Sequence, residues 1–305
     1  WWCASSRYAD IILPANTTLE RNDISSGGTY SMDKVYAMRQ VIEPYGESLD
    51  DFEIFRRLAE LFGVEYGFTE GKTVMDVVQD AYANTDTEIS FEAFWENGVA
   101  DMSVPNEANS WVRHGDFYND PDKNPLHTES GKIELYCDAF ARFGTKECPP
   151  VPTWMEPVEY LGNARPGQVH VVSPHPFMRL HSQMANADIN KILNVQGREF
   201  VLLSTEDAAE RGIKDGDLVE VYNDRGALIV GARVSDRIMK GVISIFEGAW
   251  LSKDSKGRCN SGAINVLTTS VAASDLSQAT SANTCLAYMR RCDDAEGPNQ
   301  AYQPP

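Results

Sequence analysis

Chemistry-bearing side chains are densest in the stretch Ser173-Pro-His-Pro-Phe-Met-Arg-Leu-His-Ser-Gln-Met184. Two of the chain's five histidines, His175 and His181, stand six residues apart there, with Arg179 between them and Ser182 and Gln183 directly after. Imidazole, guanidinium, hydroxyl and carboxamide together suit the hydrogen-bonding edge of a heterocycle plus a phosphate. No familiar catalytic pattern accompanies them: the sequence has no G-x-S-x-G elbow, no Walker A loop and no H-E-x-x-H. The two histidines lack an evident third ligand for a metal. Taken alone, the stretch reads more simply as surface-loop histidines beside a structural arginine. Asn265 and Asn283 stand in turn-rich surroundings, where asparagine is commonly a turn or cap residue. Glu20-Arg-Asn-Asp23 reads as a solvated charge run, or as a cleft position because it follows a short apolar run and Pro14.

The element positioning the histidines is a strand over 168–172, whose residues alternate. The polar cluster therefore sits on the loop leaving a strand, where α/β and barrel folds place ligands. Downstream, Ser204-Thr-Glu-Asp207 is a capping box opening a short helix that closes at Gly212. Asp215-Gly216 turns into a strand over 218–222, Asn223-Asp-Arg-Gly226 is a hairpin turn, and 227–234 returns. Strands are also expected over 242–246 and 263–267. Several short strands around one short helix predict a small closed β-barrel. Upstream, the pattern predicts strands over 8–14, 35–41 and 128–136. Ser25-Ser-Gly-Gly28 reads as a turn. Helices are expected from an N-cap in Ser48-Leu-Asp-Asp51 up to Gly63, over 73–83 and over 91–97. The proline-rich block 148–157 reads as a linker, with the domain boundary near residue 160.

Composition narrows the function. The 305 residues suffice for one large or two medium domains, and 42% hydrophobic content is that of an ordinary globular protein. No apolar run reaches the roughly 20 residues of a membrane helix, so a spanning role is not expected. A net charge of −18 argues against a nucleic-acid partner, whose backbone demands a surplus of Lys and Arg. The six cysteines show neither zinc spacing nor a disulfide framework. The first residues carry no initiator Met, signal peptide or twin-arginine motif, so the chain reads as starting inside a longer protein.

Several segments together carry a resemblance. Ser6-Arg-Tyr-Ala-Asp-Ile-Ile-Leu-Pro-Ala15 resembles the T-A-R-x-A-D-I-V-L-P-A segment of the molybdopterin oxidoreductases related to dimethyl sulfoxide reductase. Glu20-Arg-Asn-Asp23, His127-Thr-Glu-Ser-Gly-Lys-Ile-Glu-Leu-Tyr136 and the His-Pro…Arg-Leu-His-Ser-Gln loop are similar to that family in the same order. So are Asp207-Ala-Ala-Glu-Arg-Gly-Ile-Lys-Asp-Gly-Asp217, Glu247-Gly-Ala-Trp250, Gly262-Ala-Ile-Asn-Val-Leu-Thr268 and Ala282-Asn-Thr284, the last often Gly-Asn-Thr in the family. The chain looks most like the branch that reduces trimethylamine N-oxide, dimethyl sulfoxide and biotin sulfoxide.

The resemblance implies an α/β part-domain over 1–159 followed by a six-stranded double-psi-type β-barrel over 160–305. It implies molybdenum bis(molybdopterin guanine dinucleotide) as cofactor, touched by His175, His181, Ser182, Gln183, Asn265 and Asn283, and by the backbone of Ala282. It implies the C-terminal portion of a periplasmic enzyme of anaerobic respiration that takes oxygen from a small S-oxide or N-oxide. The partners would be the missing N-terminal portion and an electron-donor protein. No catalytic residue and no metal ligand is expected within this chain; Cys3, Ser5 and Ser6 lie in the wrong motif to hold the metal. The alternatives are another branch of the superfamily, such as a nitrate, arsenate, formate or hydroxylating enzyme, and a detached barrel acting as a non-catalytic binding module.

Overall fold

The computed structural model describes residues 1–27, 33–103, 110–279 and 284–304. They form two compact units, one of Asp10–Ile133 and one of Trp1–Ala9 with Glu134–Pro305. The chain opens with a helical turn, α1 (Ala4–Tyr8). Its Arg7 donates to the carbonyls of Trp2, Gln300, Ala301 and Gln303.

In the Asp10–Ile133 unit, β1 (Asp23–Ser26) and β2 (Lys34–Met38) lead to four helices, α2 (Asp51–Leu61), α3 (Glu65–Thr69), α4 (Val74–Ala83) and α5 (Phe91–Asn97). These are followed by β3 (Val99–Asp101) and α6 (Gly115–Asn119). The strands make an antiparallel sheet in the order β1-β2-β3. Its core gathers Val35, Tyr82, Phe94 and Ala100, with Tyr82 stacked on Phe94 at 4.3 Å between ring centroids. Asp50 rather than Ser48 caps α2, accepting from the Phe52 N–H; Ser48 lies two residues too early to reach the first turn. Thr73 and Asp76 form the capping box of α4, and Ser90 caps α5.

Three expectations fail in this unit and at its two ends. Ser25 belongs to strand β1 rather than to a turn, because β2 pairs it opposite Tyr36; Gly28 lies outside the described residues. The β-type apolar run 8–14 and the alternating run 128–136 are not strands. A strand persists only where a neighbour takes up its N–H and C=O groups. Among the described residues the first run borders only the isolated bridge Ala15–Leu49, and the second closes on itself through Leu126 N–H to Gly131 C=O. Ile11, Leu13, Ile133 and Leu135 are consequently exposed.

The other unit continues with α7 (Asp138–Phe143), a 3-10 turn at Leu161–Asn163, β4 (Val169–Val172) and α8 (Asp188–Lys191). Then come β5 (Phe200–Ser204), α9 (Thr205–Glu210), β6 (Leu218–Asn223), β7 (Gly226–Ser235), β8 (Val242–Ile245) and β9 (Thr284–Arg291). The six strands close a mixed barrel in the order β4-β8-β5-β7-β6-β9, with β9 returning to β4. Pairs β4/β8 and β5/β7 are parallel and the others antiparallel. Every second residue turns inward, as strand geometry requires: Val169 and Val171, Val201 and Leu203, Val219 and Val221, Leu228 and Val230, Ile243 and Ile245, Cys285 and Ala287 fill the core. The strand expected over 263–267 is instead a 3-10 turn, Ile264–Val266. Ile264 and the following cap residue Leu267 are both buried and three apart, the spacing that a 3-10 turn and not a strand brings to one side.

The segment before β4 is strapped to the barrel by Glu159. Its carboxylate accepts two bonds from Arg225 (2.7 and 2.9 Å) and one from the Leu286 N–H on β9 (2.7 Å). Burial raises the Glu159 pKa, but the Arg225 and Leu286 hydrogen bonds and the Arg225 charge outweigh it, leaving the carboxyl below its ordinary value. A carboxyl depressed by folding stabilises the fold above its unfolded pKa of about 4.3 and loses that contribution as pH falls through the folded value. Glu159→Gln should therefore lower the melting temperature near pH 7, and the gap to the unsubstituted chain should narrow as the pH falls below the unfolded carboxyl value; thermal melts across that range measure it.

Candidate functional site

β4 and β8 run parallel with His170 opposite Val242, a register difference of 72 (242 − 170). Continuing that register beyond the strands places residue 247 opposite residue 175, and Glu247 Oε1 does lie 2.6 Å from His175 Nδ1. The Glu247 N–H also donates to the Pro174 carbonyl at 3.2 Å, extending the ladder past the ends of both strands. The histidine loop and the turn after β8 thus emerge side by side at the C-terminal ends of parallel strands.

The loop then folds back through successive turns. Gln183 N–H donates to Leu180 C=O and Ala187 N–H to Met184 C=O, while His181 (φ +51°) and Met184 (φ +53°) take left-handed backbone conformations. Such values in residues other than glycine cost about 1–3 kcal/mol and persist only where surroundings over-determine them. Here the surroundings are explicit. Arg179 donates from Nε to the His181 carbonyl (3.1 Å), and from one terminal nitrogen to both the Glu247 carbonyl (2.9 Å) and Glu199 Oε1 (2.8 Å). The side chains of Arg179 and Glu199 are 3% and 5% exposed, so this is a buried ion pair. Burial pushes the Glu199 carboxyl above its ordinary value, and the Arg179 charge opposes that. Trp250 Nε1 donates to the Ser182 carbonyl at 2.8 Å. Gly248 (φ +88°) runs so close to the loop that a Cβ there would lie 2.1 Å from the His181 carbonyl oxygen, so no other residue fits without a backbone shift.

His181 is held like His175: its Nδ1 also lies 2.6 Å from Glu247 Oε1, and the two imidazoles meet edge to face at 4.9 Å. The ligand atoms of His175, His181 and Glu247 lie within 4.8 Å of one another, so Glu247 supplies the third metal-type ligand that the sequence left without a candidate. Both Nδ1 atoms are already at hydrogen-bonding distance from the same carboxylate oxygen.

A cavity of about 570 Å³ opens beside this cluster, lined by His181, Ser182, Glu247, Gly248, Trp250 and Asn265 among others. Of the residues singled out from sequence, His181, Ser182 and Asn265 therefore share one cavity, and His175 joins them through Glu247. Gln183 is exposed on the same turn. Ala282 and Asn283 lie outside the described residues. Residues not singled out individually are Glu247, Gly248 and Trp250, although Glu247-Gly-Ala-Trp250 follows a predicted strand. Removing one partner of a buried pair strands the other's charge. Arg179→Ala should destabilise the chain by about 3–5 kcal/mol, and Arg179→Met combined with Glu199→Leu should recover most of that; denaturant unfolding of the three chains measures it.

Residues 169–286 match the molydopterin dinucleotide binding domain, and residues 3–61 match the molybdopterin oxidoreductase family. The chain is 41% identical to the trimethylamine-N-oxide reductase of Haemophilus influenzae and 43% identical to the dimethyl sulfoxide/trimethylamine N-oxide reductase of Cereibacter sphaeroides. In both cases 95% of this chain is covered, and the chain spans 37% of the relative's length. Among solved structures, acetylene hydratase from Pelobacter acetylenicus shares the fold, with a TM-score of 0.68 at 19% identity over 95% of this chain and 39% of that one. The chain belongs to the molybdopterin oxidoreductases and carries, in its barrel, their molydopterin dinucleotide-binding domain.

Proposed function

We propose that this chain is the C-terminal, cofactor-gripping portion of a molybdenum enzyme that reduces a small S-oxide or N-oxide. On this reading residues 1–159 finish an α/β domain and residues 160–305 form the barrel domain that covers the cofactor. The observation that carries the reading is the cavity at the mouth of the barrel, into which His181, Ser182 and Asn265 converge from two separate loops. Their donor set fits a pterin dinucleotide: hydroxyl, carboxamide and imidazole complement a heterocycle edge, and a buried ligand edge needs such partners. His175, Gln183, Ala282 and Asn283 complete the proposed contact set, and the proposed form of the cofactor is the bis guanine dinucleotide. When bound, the molybdenum cofactor supplies the two-electron oxygen-atom transfer.

The chain's own residues bind and orient. The Arg179–Glu199 pair sets the path of the loop, and Trp250 fixes the Ser182 carbonyl, so the loop's polar groups are placed before any ligand arrives. Preorganisation of this kind removes the ordering cost that a mobile loop would subtract from binding. Two further features accord with a larger enzyme. The chain spans 37% of its relatives' length, and Ile11 and Leu13 are 79% and 53% exposed, as expected of a face covered by a missing portion. Partners on this reading are that N-terminal portion and an electron-donor protein. The setting is periplasmic anaerobic respiration, with no nucleic-acid partner. No helix among the described residues is long and apolar enough to cross a membrane.

In the complete enzyme, His181→Ala with Gln183→Ala should weaken cofactor retention by about 1–3 kcal/mol for each ligand group left unpaired. Molybdenum and pterin content of the purified variant measures it, and full content in both would overturn the reading.

A further inference from the structure

The Glu247 carboxylate uses one oxygen on two imidazoles of the histidine loop at once. Oε1 lies 2.6 Å from His175 Nδ1 and 2.6 Å from His181 Nδ1. An ionised carboxylate can only accept. Each Nδ1 therefore carries its proton, since an unprotonated Nδ1 would set a lone pair against the carboxylate. Which imidazole nitrogen is protonated is set by the hydrogen bond that the other nitrogen leaves or makes. We infer that Glu247 is a positioning residue that holds His175 and His181 together in the Nδ1–H form, leaving both Nε2 atoms as paired hydrogen-bond acceptors for one ligand edge that bears N–H donors.

The surroundings make the arrangement specific. Glu247 side-chain exposure is 22%, against 70% for His175 and 59% for His181, so the carboxylate sits beneath two rings that present themselves outward. Its position is not free to drift: its carbonyl accepts from Arg179, its N–H donates to Pro174, and Gly248 follows in a conformation that admits no side chain. The rings meet edge to face at 4.9 Å, which keeps their two Nε2 atoms on neighbouring rings. The charged groups around the carboxylate are Arg179 and its partner Glu199, which neutralise each other. In the neutral Nδ1–H form each ring keeps Nε2 as a hydrogen-bond acceptor. That favours the amino and ring N–H groups of a pterin-type heterocycle at this point over a phosphate oxygen, which would need donors.

This rests on the loop holding the cofactor, and the test separates the two claims. Long-range ¹H–¹⁵N spectra of the 305-residue chain, taken above the pH at which histidine titrates, report the tautomer of each ring, with His175→Ala and His181→Ala giving the assignment. Both rings should show Nδ1–H in the unsubstituted chain, shift toward Nε2–H in Glu247→Ala, and be partly restored in Glu247→Asp, with unchanged melting of the barrel serving as the folding control. In the complete enzyme, Glu247→Ala should lower co-purifying pterin roughly tenfold, in the range by which outer-sphere partners of histidine ligands act. Rings that are Nε2–H in the unsubstituted chain, or a tautomer that ignores Glu247→Ala, would overturn the inference whatever the pterin content. So would full pterin content in Glu247→Ala when the His181→Ala, Gln183→Ala variant has lost it. Full content in both variants, with the tautomer shift present, overturns the cofactor reading instead and leaves the positioning by Glu247 standing.

Discussion

One guanidinium holds the site together. Arg179 reaches the carbonyl of its own loop at His181, the carbonyl of the neighbouring turn at Glu247, and the carboxylate of Glu199 just ahead of β5. Three acceptors from three segments require a planar fork with several fixed N–H directions, which lysine does not have. The pair is nearly dry, and the pull of burial on Glu199 shows that it is held at a cost. Buried pairs often contribute little net stability and contribute arrangement instead. Here the arrangement includes two left-handed residues in a row of four, His181 and Met184, which local sequence alone would not hold.

The clamp has something to join only because of the barrel's mixed pairing. A parallel pair cannot be closed by a hairpin, so β4 and β8 are separated by most of the barrel sequence and yet leave it at the same rim. Their common register carries the Pro174–Glu247 hydrogen bond and the His175–Glu247 contact beyond the last ladder residues. An antiparallel partner at that edge would have delivered a strand's beginning to the histidine loop rather than its end.

What was legible in the sequence follows the same division between local and distant causes. The hairpin at Asn223–Gly226, the cap at Ser204, the alternation of β4 and the helices over 73–83 and 91–97 are all set by residues within a few positions of one another, and they are legible in the sequence. β5 was not: Phe-Val-Leu-Leu-Ser is buried on nearly every residue, and without alternation an apolar run of five has no strand signature of its own. The apolar run at 8–14 and the alternating run at 128–136 show the converse, a strand-like pattern that does not become a strand. At the site, the histidine loop announced itself by composition. Glu247 did not, because its place beside His175 is fixed by strand pairing across 72 residues.

Cys285 points into the closed barrel from β9, and its thiol is pushed up to about 11 by burial and by the nearby negative charge of Glu159, against the opposing influence of Arg225. The thiolate is the reactive form, and near pH 7 a thiol of that kind is ionised about once in ten thousand molecules. Cys259 is sealed in the same interior. In the closed barrel Cys285 thus serves as a small apolar filler rather than as a reactive thiol.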